Sequence, residues 1–111
     1  IIGPRSFLWT ENHDHRNRDT VPYGGANLPG PISIEKAVWI GADVRIAPGV
    51  TVGQGAVLAL GAVVVRDVEP FAVVGGNPAQ KISDRNDVEL LQRLIAEERY
   101  YMKHKLEAAV R

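Results

Sequence analysis

The sequence of 111 residues contains no cysteine, and this absence excludes a disulfide framework, a thiolate metal site and a cysteine nucleophile. Aromatic residues are scarce, at 6% of the chain, although 45% of the residues are hydrophobic. Neither sign of charge is in excess, because 13 Lys and Arg balance 13 Asp and Glu. A protein that binds the nucleic-acid backbone or an anionic membrane needs a basic surplus. We therefore expect neither nucleic acid nor a membrane as a partner.

Long hydrophobic runs are missing as well. No apolar stretch approaches the roughly 20 residues of a membrane-spanning helix, and no secretory signal opens the chain. We therefore expect a single domain in the cytoplasm. The sequence begins at Ile1 and not at Met, which suggests a processed or truncated N-terminus.

A six-residue repeat fills the middle of the chain. Its first column is aliphatic in every repeat, and its fifth column is small or branched and apolar in every repeat. The first column holds Ile34, Ile40, Ile46, Val52, Leu58 and Val64, and the fifth holds Val38, Val44, Val50, Ala56, Ala62 and Val68. In a helix, positions six apart would point in different directions, so the columns would not share one face. A single strand is excluded too, because the six repeats cover 36 residues and strands usually have about 3–10.

Short strands that turn at glycine-rich corners fit this pattern, with one aliphatic side chain per repeat pointing into a stacked interior. We therefore predict a parallel β-helix, with an irregular β-sandwich as the alternative. The template also fits Ile2 to Phe7, and Leu8 then takes the next first-column position, so the chain begins inside a coil. Residues 12–31 are polar and rich in Gly and Pro, which predicts a loop that protrudes from the coil.

The hydrophobic period becomes helical near the C-terminus. Asn86 and Glu89 resemble a capping box, which predicts one helix from Asn86 onward. The apolar face of that helix would hold Val88, Leu91, Ile95, Met102, Leu106 and Ala109. The predicted organisation is a β-helix over residues 1–83 and a C-terminal helix over residues 84–111.

Three stretches identify a family resemblance. Val38 to Gly41, Pro48 to Gly53 and Val74 to Ala79, together with the repeat, resemble the hexapeptide-repeat acyltransferases. The similarity is greatest to the sugar O-acetyltransferase and xenobiotic acetyltransferase branches, such as the maltose, galactoside and capsule acetyltransferases. The resemblance implies an all-β fold, a single-stranded left-handed parallel β-helix with a C-terminal α-helix. It also implies acetyl-CoA as co-substrate and a homotrimer with active sites between subunits.

Acyl transfer from a thioester needs a base that takes the proton of the attacking acceptor. No covalent nucleophile is evident, because cysteine is absent and no G-x-S-x-G elbow occurs. The resemblance implies His13 as the catalytic base, since the family's spacing from an Ile-Gly pair to its histidine matches Ile2-Gly3 to His13. His15 is the reserve candidate, and His104 lies among charged residues on the predicted helix.

A metal site is the alternative interpretation of this loop. His13, Asp14, His15 and Asp19 are close in sequence, but two histidines at i and i+2 without a fixed third ligand are a weak signal. We therefore predict no metal.

The carrier site follows from the resemblance, position by position. The family's CoA contacts fall at Ala42, Leu60, Val65, Arg66, Gln80 and Ser83. Arg66 is the cation best suited to a phosphate, although a surface ion pair with Asp67 is the alternative. The basic residues that the family has near Gln80 and Ser83 stand here at Lys81 and Arg85, and Lys81 is therefore included among the predicted CoA contacts.

The acceptor side is expected to use Arg16, Asp19 and Tyr23 of the loop, together with Trp39. Trp39 could instead cover the pantetheine arm or pack between subunits. The predicted function is transfer of acetyl from acetyl-CoA to a hydroxyl of a sugar or polysaccharide precursor. The alternatives are acetylation of an antibiotic or an amino sugar, and a non-catalytic β-helix scaffold.

Overall fold

A computed structural model describes residues 1–110, so that Arg111, the last residue of the predicted helix, lies outside the described residues. Short strands precede two helices along the described chain. The strands are β1 (Phe7–Leu8), β2 (Glu11–His13), β3 (Asn27–Pro29), β4 (Ser33–Ile34), β5 (Trp39–Ile40), β6 (Arg45–Ile46), β7 (Thr51–Val52), β8 (Val57–Leu58), β9 (Val63–Val64), β10 (Ala72–Gly75) and β11 (Gln80–Asp84). The helices are α1 (Val88–Ala96) and α2 (Tyr101–Val110).

The strands of the repeat pair in parallel with strands one coil further along. β4 pairs with β7, β5 with β8, and β6 with β9. Each pairing joins first-column residues three hexapeptides apart, so three strands complete one coil and each strand belongs to a different face. The chain therefore winds as a parallel β-helix, and the alternative of a β-sandwich is wrong.

The two apolar columns form the core. Among the first-column residues, Ile40 and Leu58 are 0% exposed and Ile46 is 1% exposed, and every member of the fifth column is buried. Ile34 is the exception in the first column, because it is only half-buried. Its strand β4 pairs with β7 alone in the described chain, so no coil covers its other side.

The fourth residue of each of the first five repeats makes the corner between faces. At Ala37 and Asp43 the backbone has φ of 59° and 56°, and at Gly61 it has φ of 73°. One left-handed residue per corner redirects the strand, and only glycine adopts this conformation without strain. Four left-handed corners of the coil nevertheless carry side chains, at Arg5, Ala37, Asp43 and Phe71.

The last coil is shorter than the others. Val52 is bridged to Val68, and Leu58 pairs with Val74, so this coil has two residues fewer than the pairs Ile34–Val52 and Ile40–Leu58 span. Val68 is buried, as its column predicts, but it stands opposite a first-column residue. The hexapeptide register therefore ends after Val64.

The upstream coil and the protruding loop are both present. Ile2 is bridged to Ile40, and β1 pairs in parallel with β6. Between this coil and Ile34, the chain makes an antiparallel ribbon in which β2 pairs with β3. The backbone N–H of Gly30 closes the ribbon by donating to Thr10 O at 2.7 Å. The predicted loop is thus an ordered hairpin and not an irregular excursion.

The C-terminal helix differs from its prediction at both ends. Its N-cap is Asp87, whose carboxylate accepts from the N–H of Leu90 at 3.2 Å, so the capping box at Asn86 is wrong by one residue. The helix also ends at Ala96, because Glu98 is left-handed with φ of 53°. The N–H of Arg99 donates to Leu94 O at 2.9 Å, which is the hydrogen bond of a Schellman cap.

The break divides the predicted apolar face into two parts. Val88, Leu91 and Ile95 of α1 are half-buried, whereas Met102 and Leu106 of α2 are exposed. Neither helix of the described chain has the length and apolar character that a membrane crossing requires.

Candidate active site

The hairpin carries the predicted base at the end of its first strand. His13 is the last residue of β2, where it stands opposite Asn27 of β3. Its side chain is exposed, and its backbone N–H donates to Asn12 Oδ1 at 2.9 Å. The paired strands therefore fix the position of the His13 backbone relative to the coil, while leaving the imidazole open to a ligand.

The imidazole of His13 is stacked on the ring of Tyr23. The ring centroids are 3.8 Å apart and the planes differ by 3°, so one face of the imidazole is covered and its edge is free. His15 is exposed and lies beyond the strand. In the part of the chain that the structure describes, this stack is the one aromatic pair that involves a histidine.

The tip of the hairpin is built around Asn17. Its Oδ1 accepts from the N–H groups of Asp19 and Thr20, each at 2.9 Å. Its Nδ2 donates to Asp14 O at 2.9 Å and to Thr20 O at 3.1 Å. The hydroxyl of Thr20 then donates to Tyr23 O at 2.8 Å.

Sequence reasoning did not single out Asn17. Its signal is the Asx-turn pattern, in which an Asn side chain bonds the backbone two and three residues on. That pattern is common in polar loops, so it does not favour Asn17 over Asn12.

The predicted acceptor residues fall in two places. Arg16, Asp19 and Tyr23 all lie on the hairpin and are exposed. Trp39, by contrast, lies on β5 and lines a cavity of about 530 Å³ together with Phe71 and residues of both helices. The hairpin therefore brings three of the four candidates together with His13, whereas Trp39 lies beside the C-terminal helices.

No group of three or more His, Asp or Glu side chains among residues 1–110 has the arrangement of a metal site. Asp14, which the metal interpretation would use, accepts instead from the backbone N–H of Arg16 at 3.1 Å.

Three of the predicted carrier residues surround one cavity. Arg66, Gln80 and Lys81 line a space of about 220 Å³ at the last coil, with Val68 from the core among the other lining residues. Ala42, Leu60, Val65 and Ser83 do not line it.

These four residues lie elsewhere on the coil surface. Leu60 and Val65 are 72% and 47% exposed, and Ala42 O accepts from the N–H of Gly61 on the next coil at 2.9 Å. Ser83 is exposed on β11, opposite Val73 of β10.

The three cations considered for the CoA phosphate differ in their partners, and Arg85 lines the cavity of about 530 Å³ beside the helices and not the carrier cavity. Lys81 Nζ is 2.7 Å from Asp84 Oδ1 and 3.2 Å from Glu69 Oε2, and these hydrogen bonds raise the pKa of Lys81 above its ordinary value. Arg85 donates from Nη1 to Gly55 O at 3.1 Å.

Arg66 has no ion pair within the described chain. Asp67, its alternative partner, accepts instead from the N–H of Thr51 at 2.8 Å. Arg66 is thus the cation of the cavity that is not engaged by a neighbouring side chain.

The parallel β-helix of hexapeptide coils is the fold of a class of acetyltransferases, the hexapeptide-repeat acetyltransferases, to which this chain is similar. The relatives agree. A chloramphenicol acetyltransferase from Agrobacterium fabrum is 41% identical, over 81% of this chain and 50% of its own length. No protein-family model matches the sequence.

Two solved structures share the fold. A hexapeptide-repeat acetyltransferase from Vibrio cholerae in complex with acetyl-CoA is 40% identical, with a TM-score of 0.66 over 78% of this chain and 46% of its own. A galactoside acetyltransferase in complex with CoA is 33% identical, with a TM-score of 0.69 over 80% of this chain and 44% of its own.

The predicted kinship with the hexapeptide-repeat acetyltransferases is therefore confirmed in sequence and in fold. The chain spans about half the length of these relatives.

Proposed function

We propose that this chain transfers acetyl from acetyl-CoA to a hydroxyl group of a sugar or of a similar small acceptor, with His13 as general base. The observation that carries the proposal is the exposed imidazole of His13 on an ordered hairpin, in a chain 41% identical to an acetyltransferase. The solved relatives that bind acetyl-CoA and CoA support the choice of carrier.

The reaction needs one proton carrier and no covalent enzyme intermediate. A nitrogen of His13 takes the proton of the acceptor hydroxyl as its oxygen attacks the thioester carbonyl, so that a C–O bond forms. The tetrahedral intermediate then collapses with cleavage of the C–S bond. The imidazolium returns its proton to the leaving thiolate, which gives CoA and the acetyl ester.

Two acceptor classes are in competition. The similarity to the galactoside acetyltransferase supports a sugar hydroxyl as the acceptor, whereas the similarity to the Agrobacterium chloramphenicol acetyltransferase supports a hydroxyl of that antibiotic. Both are O-acetylations, so the same base serves either acceptor. We propose the sugar, with contacts from Arg16, Asp19 and Tyr23 on the hairpin. Trp39 lies beside the C-terminal helices, so in this proposal it would contact an acceptor bound at a neighbouring subunit of the trimer.

The carrier is proposed to lie along the coils with a phosphate at Arg66. Gln80 and Lys81 share the cavity with Arg66. Ala42, Leu60, Val65 and Ser83 would line the rest of the path, where exposed small and apolar surface suits the pantetheine arm. A cytoplasmic location would give the chain access to acetyl-CoA.

A homotrimer of left-handed β-helices is the proposed assembly. The radius of gyration is 17.1 Å, against roughly 13 Å for a compact domain of this length. The accessible surface is 7953 Å², against about 6,000 Å² for a compact monomer of this mass. Exposed aromatic residues on the faces, among them Phe7, Trp9 and Trp39, give the excess surface an apolar character.

The experiment measures thiol release from acetyl-CoA with a panel of galactosides, maltose, an amino sugar and chloramphenicol. We expect release with one acceptor class and a loss of about a thousandfold in kcat for His13→Ala. His15→Ala is the matched control and should keep its rate. A fully active His13→Ala variant would contradict the role of His13, and an unmodified chain inactive on the whole panel would favour the scaffold alternative.

A further inference from the structure

We propose that Tyr23 and Asn17 are positioning residues for His13, so that the hairpin tip and not only the coil sets the geometry of the base. The inference rests on the proposed function, because it concerns how the proposed base is held. It starts from a relation that a flexible surface loop would not show: two rings ten positions apart lie parallel within 3° at 3.8 Å.

The stack fixes the plane of the imidazole. His13 is exposed, and its ring packs in no buried pocket that would select a rotamer. The Tyr23 ring covers one face and leaves the edge open, where the in-plane lone pair of the basic nitrogen meets the acceptor hydroxyl. A base whose ring is already oriented loses little side-chain entropy on reaching the transition state.

The stack also bears on the positive charge that develops on the imidazole during the reaction. Two neutral rings in a close parallel sandwich are not an optimal pair, because their quadrupoles repel. A cation over the face of a tyrosine ring is attracted to it. The positive charge that develops on the imidazole during acceptor attack therefore strengthens the contact with Tyr23 in the transition state.

Asn17 acts on this pair through the backbone. It saturates its amide with four hydrogen bonds to Asp14, Asp19 and Thr20, and Thr20 in turn donates to the carbonyl of Tyr23 at 2.8 Å. The N–H of Gly24 closes the loop on Asp14 O at 2.8 Å. The segment that carries Tyr23 is thereby tied to the residue that follows His13.

The substitutions separate these roles. Tyr23→Phe keeps the ring and Tyr23→Leu removes it. Asn17→Asp keeps the acceptor of the Asp19 and Thr20 amides but turns an oxygen toward the carbonyls of Asp14 and Thr20, which the amide nitrogen had bonded. Val21→Ala is the matched control, because this residue of the same loop is 92% exposed.

The first readout is independent of activity. The ring current of Tyr23 should shift the Hε1 resonance of His13 upfield of that of His15 in the NMR spectrum of the full chain. Tyr23→Phe should keep this shift, and Tyr23→Leu and Asn17→Asp should abolish or reduce it. A His13 resonance that Tyr23→Leu leaves in place would overturn the proposal.

The second readout is kinetic. We expect Tyr23→Leu and Asn17→Asp to lower kcat by about tenfold, while KM for acetyl-CoA changes by less than about twofold. Tyr23→Phe should lose less of kcat than Tyr23→Leu, because it keeps the ring that stacks on His13, and Val21→Ala should retain kcat. If His13→Ala is inactive while Tyr23→Leu and Asn17→Asp turn over normally, only this inference fails. If His13→Ala is itself active, the proposed base fails first.

Discussion

Arg5 and Asp43 form a bidentate ion pair between two stacked corners of the β-helix. Arg5 Nε donates to Asp43 Oδ1 at 2.8 Å, and Nη2 donates to Oδ2 at 3.0 Å. Both residues have a left-handed backbone, with φ of 57° and 56°. Two corners that glycine would occupy without strain thus carry side chains that join the first coil to the next.

This pair predicts an acid-sensitive contribution to stability. The hydrogen bond from Arg5 lowers the pKa of Asp43 below its ordinary value, although desolvation opposes the shift. A carboxylate with a depressed folded-state pKa stabilises the fold above its unfolded pKa, and this contribution is lost as the pH falls through the folded value. We expect Asp43→Asn to lower Tm at pH 6 and to leave it unchanged near pH 2.

Thermal unfolding at a series of pH values, followed by circular dichroism, measures this difference. Asp19→Asn is the control, because that carboxylate is exposed on the hairpin. Both surface charges are screened by solvent, so the effect is a small one. Parallel pH curves for the unmodified chain and Asp43→Asn would show that the pair does not stabilise the fold.

Glycine substitutions should separate backbone strain from coil spacing. A Cβ at Gly61 would meet no atom within 4 Å, but its φ of 73° is left-handed, so Gly61→Ala should cost about 1 kcal/mol in the free energy of unfolding. A Cβ at Gly41 would lie 2.9 Å from Leu60 N on the next coil, so Gly41→Ala should cost about 3 kcal/mol.

Urea unfolding of the two variants measures these costs. Gly25→Ala is the control, because a Cβ there meets nothing within 4 Å and no positive φ opposes it. It should be neutral or slightly stabilising. Equal losses for Gly41→Ala and Gly61→Ala would contradict the close approach of successive coils at Gly41.

Arg66 should govern carrier affinity. Because it is the cation of the carrier cavity without an ion pair in the described chain, we expect Arg66→Ala to raise KM for acetyl-CoA by about tenfold. kcat should change little, since the phosphate is remote from the reacting carbonyl. The KM of Arg66→Lys should lie between those of the unmodified chain and Arg66→Ala, because Lys keeps the charge but cannot make the bidentate hydrogen bonds of a guanidinium.

Steady-state kinetics with varied acetyl-CoA provides the measurement. Arg93→Ala, an exposed cation on α1, serves as the charge-matched control. An unchanged KM in Arg66→Ala would exclude this cavity as the phosphate site.

The β-helix was predictable because the apolar burial that stabilises it repeats at a fixed spacing along the sequence. Ile40, Ile46, Leu58 and their column neighbours repeat at a fixed spacing, and each buries the same kind of surface against the coil above and below. The prediction failed where the period ended. The coil that closes at Val74 is two residues shorter than the coil before it, and nothing in the composition of this segment indicates the difference.

The break between the helices was hidden for a related reason. Helices commonly end at a left-handed glycine, but here Glu98 takes that conformation. No Gly or Pro marks the position, so the apolar spacing from Val88 to Leu106 suggested one continuous helix. Asp87 likewise displaced Asn86 as the N-cap, since either side chain suits that position.

The sequence named residues for the candidate site but did not reveal the contacts between them. The family spacing pointed to His13, and the composition of the loop pointed to Tyr23 among the possible acceptor contacts. Their stacking, and the hydrogen bonds of Asn17 that hold the tip, follow from the closure of one particular loop. A single pair of this kind has no period by which the sequence could reveal it.

The sequence alone determined that this chain stacks its hexapeptides into a parallel β-helix, because the repeated burial of two apolar columns is satisfied by that arrangement. Only the tertiary structure decided which face of His13 is covered, that Arg66 and not Lys81 lacks a described ion-pair partner, and where the helices divide. Each of these features depends on a single contact between residues distant in sequence, or on one backbone torsion. The β-helix, by contrast, depends on the same apolar contact in every repeat.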